Sequence, residues 1–393
     1  MDARAYLAST PNPRSHVLKP RPDPIYVTKP TLPPRDQLER LLDGIYERAW
    51  LTNEGPLVTD LSRRLRAFLG VPHFHFVNNG TQALQLAMRA LEVTGSVVTT
   101  PFTYVATANA IALEGARPLF ADVDPDTLCL CPEAAERALR PDTTAIVPVH
   151  VYGRPCDVDA FADLGRRRGV RIIYDAAHTS GARLDGRALA SYGDAAALSF
   201  HATKILHAVE GGGVVTHDPA HAEALGFLRA HGHAGDDYRY AAPNAKNSEL
   251  HAAFGLLNLE ALDETLRGRR RVYETYFAAF AGAPVRMFDP ASTPELAYNY
   301  AYAPVHFRDE ATLLRAKAGL EAADVYPRRY FWPLLADMPQ FEAPMHCPHA
   351  RGAARTTLCL PLYAELGIAQ ADRIAGLVLR AIGAPAPAPQ LSV

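Results

Sequence analysis

Short apolar runs alternate with amphipathic stretches along most of this chain. Apolar positions recurring at three- and four-residue spacing predict helices over 37–49, 60–69, 81–91, 103–114, 132–139 and 158–168. In the third of these, Ala83, Leu84, Ala87, Met88 and Leu91 share one face. Between them, short β-rich runs predict strands over 73–77, 96–100, 118–122, 145–150, 171–174, 195–200 and 213–216. Strands alternating with helices imply βαβ units: an α/β fold with a mostly parallel central sheet flanked by helices. A long arginine-rich helix is expected from Asn258 to Phe280, leading into a smaller C-terminal α/β domain. Prolines gather at both ends and oppose regular structure there. The expected organisation is a flexible proline-rich arm over 1–24, a large domain over 25–265, a small domain over 266–384 and a Pro/Ala tail over 385–393.

Composition narrows the function. The chain has 393 residues, with 40 Lys+Arg against 42 Asp+Glu, so no basic excess points to nucleic acid or a membrane surface. No apolar stretch reaches the roughly 20 residues that span a bilayer. The start lacks the apolar core of a secretory signal, and five scattered cysteines make no disulfide framework. A cytoplasmic location is the expectation.

Three clusters could carry chemistry. Ser199-Phe-His-Ala-Thr-Lys204 follows an apolar strand and precedes Glu210-Gly-Gly-Gly213. A lysine there can face a pocket, where desolvation favours the neutral, nucleophilic amine; taken alone, such a lysine is usually a surface lysine. Asp175 ends another apolar strand at the carboxyl edge of the sheet, where open α/β folds bind ligands; alone, it could be a helix cap. Asn78-Asn-Gly80-Thr-Gln-Ala-Leu84 opens a helix whose free amides suit one phosphate, or form a plain turn and cap. It carries neither a Walker lysine nor a dinucleotide fingerprint. Together the three describe a pyridoxal 5′-phosphate site: a lysine for the aldehyde, a carboxylate for the pyridine nitrogen and a helix start for the phosphate.

In that order, the motifs resemble the DegT-like nucleotide-sugar aminotransferases of PLP fold type I. The similarity runs from about Ile25 to Leu379 through Trp50-Leu-Thr-Asn-Glu-Gly-Pro56, Asn79-Gly-Thr-Gln-Ala-Leu84, Thr100-Pro-Phe-Thr-Tyr-Val-Ala-Thr107 and Val149-His-Val-Tyr-Gly153. It continues through Asp175-Ala-Ala-His178, the lysine motif, Glu210-Gly-Gly212 and Asn244-Ala-Lys-Asn-Ser-Glu249. The resemblance implies that Lys204 forms the Schiff base and Asp175 pairs with the pyridine nitrogen. It places Tyr104 on the cofactor ring, His178 beside the 3′-oxygen, and Gly80, Thr81, Gln82 and Ser199 at the phosphate. It implies that Asn244 reaches the phosphate of a second subunit, and hence a homodimer with composite sites.

Two motifs depart from the family pattern. His178 stands where many relatives have Gln, which keeps a hydrogen-bonding group. Asn-Ala-Lys-Asn-Ser-Glu replaces Asn-Tyr-Arg-Met-Ser-Glu, which retains Asn244 but changes its neighbours, including Lys246. With Arg328-Arg-Tyr-Phe-Trp-Pro333 downstream, the sub-pattern is most similar to enzymes aminating TDP-4-keto-6-deoxyhexoses at the 4-position. Lys246, Arg328, Arg329 and Tyr330 are the expected substrate contacts, guanidinium forks being suited to a diphosphate. The implied reaction is ping-pong: L-glutamate gives up its amine first, the keto sugar takes it second, and Lys204 moves the protons. A 3-keto sugar, an aminocyclitol ketone or a non-catalytic regulatory role remain alternatives.

Other features read as structural. His346-Cys-Pro-His349 offers too few ligands for zinc, so no metal is expected. Arg267 to Arg271 reads as a solvated helix face or subunit contact, and His201 and His207 as pocket lining or packing.

Overall fold

The computed structural model describes residues 23–341 and 346–384; the tail over 385–393 and nearly all of the arm over 1–24 lie outside the described residues. The central sheet has seven strands: β1 (His73–Val77), β2 (Ser96–Thr99), β3 (Arg117–Phe120), β4 (Thr143–Val147), β5 (Arg171–Asp175), β6 (Ala195–Ser199) and β7 (Gly212–Thr216). Their spatial order is β1-β7-β6-β5-β4-β2-β3. Strands β2 to β6 pair parallel, and β7 runs antiparallel between β1 and β6.

Both faces of the sheet are covered, and alternation along the strands sorts the residues between them. Ile173, Ala195, Ala197 and Val214 face one side, packed against Ala83, Leu86 and Ala87 of helix α1 (Gly80–Ala90). Ile172, Tyr174, Ala196 and Leu198 face the other, toward Leu164 of helix α2 (Val158–Arg168). Alanine has weak strand preference, yet β6 reads Ala-Ala-Ala-Leu-Ser. The small side chains let α1 lie close to the sheet, so packing outweighs propensity.

The expected helix from Asn258 to Phe280 is two helices, α3 (Glu249–Glu260) and α4 (Leu262–Ala279), which meet at Ala261 with φ −86° and ψ 1°. The break redirects the chain: α3 packs on helix Pro56–Leu69, and α4 on helix Ile368–Ile382. Helix α4 straddles the expected boundary at 265/266, with Leu262 in the first core and Val272, Tyr273 and Tyr276 in a second. That second core is built on a three-stranded sheet of Val285–Arg286, Ala303–Phe307 and Thr357–Leu360. Strand Ile25–Tyr26 pairs with Val325–Tyr326 of this unit, and Phe331, Leu334, Leu335 and Ala350 return to the first core. The two units are thus tied by several crossings rather than one hinge.

Residues 267–271 are not a uniform solvated face. Arg269 is buried, donating to the carbonyls of Tyr300 (3.0 Å) and Ala301 (2.7 Å). It falls in register with Leu262, Thr265, Val272, Tyr273 and Tyr276 on the buried side of α4, a spacing already visible in the sequence. The His346–His349 stretch leads into helix Pro348–Thr356, and Asp122 accepts from the first amides, His349 N (3.0 Å) and Ala350 N (2.9 Å). Among the described residues, no helix is long and apolar enough to cross a membrane.

Candidate active site

The alternation that sorts the core also aims the site. Asp175 continues the Ile173 face of β5, and Ser199 continues the Ala195 and Ala197 face of β6, so both leave the sheet on the side where α1 begins. Strand β6 then gives way to a loop carrying Lys204. Asn79 caps α1, its Oδ1 accepting from Gln82 N at 2.8 Å, which leaves the amides of Gly80 and Thr81 without intrahelical acceptors. The helix start sits tightly against the strand ends. A Cβ on Gly80 would lie 2.9 Å from Cβ of Ser199, and one on Gly212 would lie 2.3 Å from the Asn79 carbonyl oxygen. Glycine is required at both points for close approach.

These elements enclose a cavity of about 380 Å³ lined by Gly80, Thr81, Tyr104, Thr107, Asp175, His178, Ser199, Lys204 and Tyr302, among others. Asp175 is buried, and burial pushes its carboxyl above the usual range against the pull of its donors. Those donors are the Thr107 hydroxyl to Oδ2 (2.7 Å) and Ala177 N to Oδ1 (3.0 Å), which fix the carboxylate plane. Lys204 is half-buried, and burial lowers its ammonium to about 8, opposed by Asp175 and Tyr104. Its Nζ lies 3.5 Å from the phenol of Tyr302.

His178 accepts from Tyr152 N at Nδ1 (3.2 Å), so Nε2 carries the proton. Burial, reinforced by Lys204, holds the ring well below its ordinary range, and therefore neutral. Its ring is parallel to Phe331 at 6.0 Å and edge-on to Tyr302 at 4.9 Å. Buried Asn299 fixes the backbone beneath it by donating to the carbonyls of His178 (2.8 Å) and Ser180 (3.0 Å).

The donor set fits pyridoxal phosphate. Lys204 would bond the aldehyde and Asp175 would hold the pyridine nitrogen protonated. His178 would face the ring oxygen, and Gly80, Thr81 and Ser199 would hold the phosphate. Gln82 is a less direct contact, since its backbone amide is taken by Asn79. Tyr104 lines the cavity but is 62% exposed, standing at the mouth rather than enclosed.

A second cleft, of about 800 Å³, shares Thr103, Tyr104, Thr203, Tyr330 and Phe331 with the first, so the two adjoin. Arg328 lies exposed along it, its backbone paired both ways with Cys359. Arg329 also borders it, but its guanidinium is engaged by Glu310 (2.7 Å) and the Ala354 carbonyl (3.3 Å) and lies over the Trp332 ring. Tyr330 lines both spaces. Asn244 and Lys246 line neither; they bond each other, Nζ to Oδ1 at 2.8 Å, behind the phosphate turn, where Ala245 O accepts from Asn78 N.

Sequence reading missed Thr107, Tyr152, Asn299 and Tyr302. Thr107 and Tyr152 lie inside quoted motifs, and the Thr103/Thr107 spacing of four was the available signal. Nothing local marks Asn299 or Tyr302, which arrive from the second unit.

The chain is similar over nearly its whole length to known proteins. The family pattern described as the DegT/DnrJ/EryC1/StrS aminotransferase family matches residues 35–379. The dTDP-4-amino-4,6-dideoxy-D-glucose transaminase of Shigella dysenteriae is 38% identical over 355 residues, 87% of this chain and 95% of that protein. The enzyme of the same name from Escherichia coli is 33% identical over 374 residues, 90% and 98% of the two chains. The crystal structure of DesI in the presence of its TDP-sugar product superposes with a TM-score of 0.87 at 35% identity, over 92% of this chain and 94% of that one.

Proposed function

The chain belongs to the DegT/DnrJ/EryC1/StrS aminotransferase family and is a pyridoxal phosphate-dependent sugar aminotransferase; from that premise we propose that it converts TDP-4-keto-6-deoxyglucose to the 4-amino sugar with L-glutamate as donor. The observation that carries the reading is that two spaces adjoin across shared residues, one with Lys204 and Asp175, the other bordered by exposed Arg328. The relatives named for a 4-amino-4,6-dideoxyglucose nucleotide support the choice of sugar.

When bound, the cofactor supplies an electron sink that makes a carbon-bound proton acidic. The chain's own groups do the rest. Lys204, with its ammonium lowered to about 8, is about one-tenth neutral at pH 7 and can take a proton at Nζ and return it. Asp175, fixed by Thr107 and Ala177, holds the pyridine nitrogen protonated. The α1 start and Ser199 anchor the phosphate, and His178 donates from Nε2. Arg328 is placed to meet the sugar-nucleotide diphosphate, and Tyr330 forms the wall between sugar and cofactor spaces. Arg329 serves by holding that wall through Glu310.

The expected assembly is a homodimer in which Asn244 of one subunit completes the phosphate site of the other. Its place outside its own cavity, a few residues after exposed Tyr238 and Tyr240, supports this.

The test is a panel of nucleotide-linked 4-keto and 3-keto sugars and an aminocyclitol ketone, each with glutamate, read by mass spectrometry of the amino product. Preference for a 3-keto sugar or a cyclitol would overturn the substrate assignment while leaving the reaction class standing. No amino product from any ketone, with cofactor bound, would favour a regulatory protein.

A further inference from the structure

Tyr302 enters the site from outside the large sheet. It precedes strand Ala303–Phe307 of the second unit, and α4 holds the backbone just before it through the two bonds from Arg269 to Tyr300 and Ala301. The neighbouring positions are fixed as firmly. Tyr298 donates to the Tyr152 carbonyl (3.0 Å), and Asn299 bonds the backbone of His178 and Ser180. The Tyr302 ring is packed edge-on to His178 and Tyr330, with Tyr152 at 5.5 Å, so the phenol has little freedom to swing. Its oxygen comes to 3.5 Å from Lys204 Nζ, the one side-chain hydrogen-bond partner of that amine among the described residues.

We infer that Tyr302 is the positioning residue for the Lys204 amine, holding Nζ over the cavity whenever the amine is not bonded to the cofactor. This rests on Lys204 being the reactive lysine. A neutral phenol can serve both forms of the amine: it donates to the Nζ lone pair and accepts from the ammonium. The lysine takes one proton from carbon and later gives one up, ending neutral, while Tyr302 keeps its own proton. Burial pushes the phenol far above its ordinary range, against the influence of Arg269, so it does not compete as an acid. The other ionisable groups facing Nζ are Asp175, Tyr104 and His178; none lies within hydrogen-bonding distance of it. Tyr302 thereby makes the second unit part of the catalytic apparatus.

The test is Tyr302→Phe, which keeps the ring. In the cofactor-free protein, amine labelling by acetic anhydride is followed against pH, with the Lys204 peptide read by mass spectrometry. The Phe variant should shift the Lys204 midpoint down by about one pH unit, because the charge-assisted bond lost by the ammonium outweighs the neutral one lost by the amine. In the loaded enzyme, kcat should fall about tenfold with both KM values unchanged, as expected for lost positioning rather than lost binding. A superimposable titration and an unchanged kcat would overturn the role of Tyr302. Borohydride reduction of the loaded wild-type enzyme separates this from failure of the premise: cofactor fixed on a peptide other than that of Lys204 would overturn the lysine assignment itself.

Discussion

The Thr107 hydroxyl donates a 2.7 Å hydrogen bond to Oδ2 of buried Asp175, joining a helix that follows β2 to the end of β5. Burial and hydrogen bonding pull this carboxyl in opposite directions, and the hydroxyl is the strongest influence favouring ionisation. Thr107→Val keeps the shape and removes the donor. It should weaken the hold on the pyridine nitrogen by about 1.5 kcal/mol, or roughly tenfold in rate. Single-turnover kinetics with glutamate would show it, and a wild-type rate would mean that Ala177 N suffices.

The buried amine predicts a pH dependence of the cofactor-free protein. The folded Lys204 titrates near 8, whereas the unfolded chain has the ordinary value near 10.5. Between those values the unfolded state binds more protons, so this group makes stability rise with pH; below about 8 its full burial penalty applies. Lys204→Met removes the charge, so the wild-type minus variant stability should climb from pH 8 to 10.5. Urea midpoints across that range test it, and a flat difference contradicts a buried ammonium.

Gly212 has no room for a side chain. Gly212→Ala would push a methyl to 2.3 Å from the Asn79 carbonyl and 2.9 Å from Gly80 N, forcing the α1 start away from the strand. A stability loss of about 2–3 kcal/mol is expected, together with weaker cofactor retention, since the same amides are to hold the phosphate. Denaturant melts and dialysis loss of cofactor should move together.

Asn299 spends both amide protons on carbonyls beneath His178. Asn299→Ala leaves those carbonyls unsatisfied and should cost about 2–4 kcal/mol. Because it frees the His178 backbone, the cofactor dissociation constant should rise with it. Stability loss with unchanged cofactor affinity would confine Asn299 to a structural part.

Composite sites predict complementation. Lys204→Ala and Asn244→Ala impair different halves of a shared site, so a mixed dimer restores one intact site. Equal co-expression should recover roughly a quarter of wild-type activity if subunits pair at random. Recovery no greater than the sum of the separate variants would place both residues in one subunit's site.

The sequence by itself determined the strand and helix order, the mostly parallel sheet and the family, because these depend on short-range periodicity and contiguous motifs. It also pointed to Asp175, a polar residue ending an apolar strand at the sheet edge, and to Lys204, in the motif that leaves the next strand. It misjudged Arg269 and merged α3 with α4, where burial and the direction of a helix axis depend on what lies opposite. Only the tertiary structure decided that Thr107 orients Asp175, that Arg329 is bound to Glu310, and that Tyr302 meets Lys204 across 98 residues of chain. Such contacts leave no periodic trace: they arise when separately packed elements fix side chains distant in sequence at hydrogen-bonding distance.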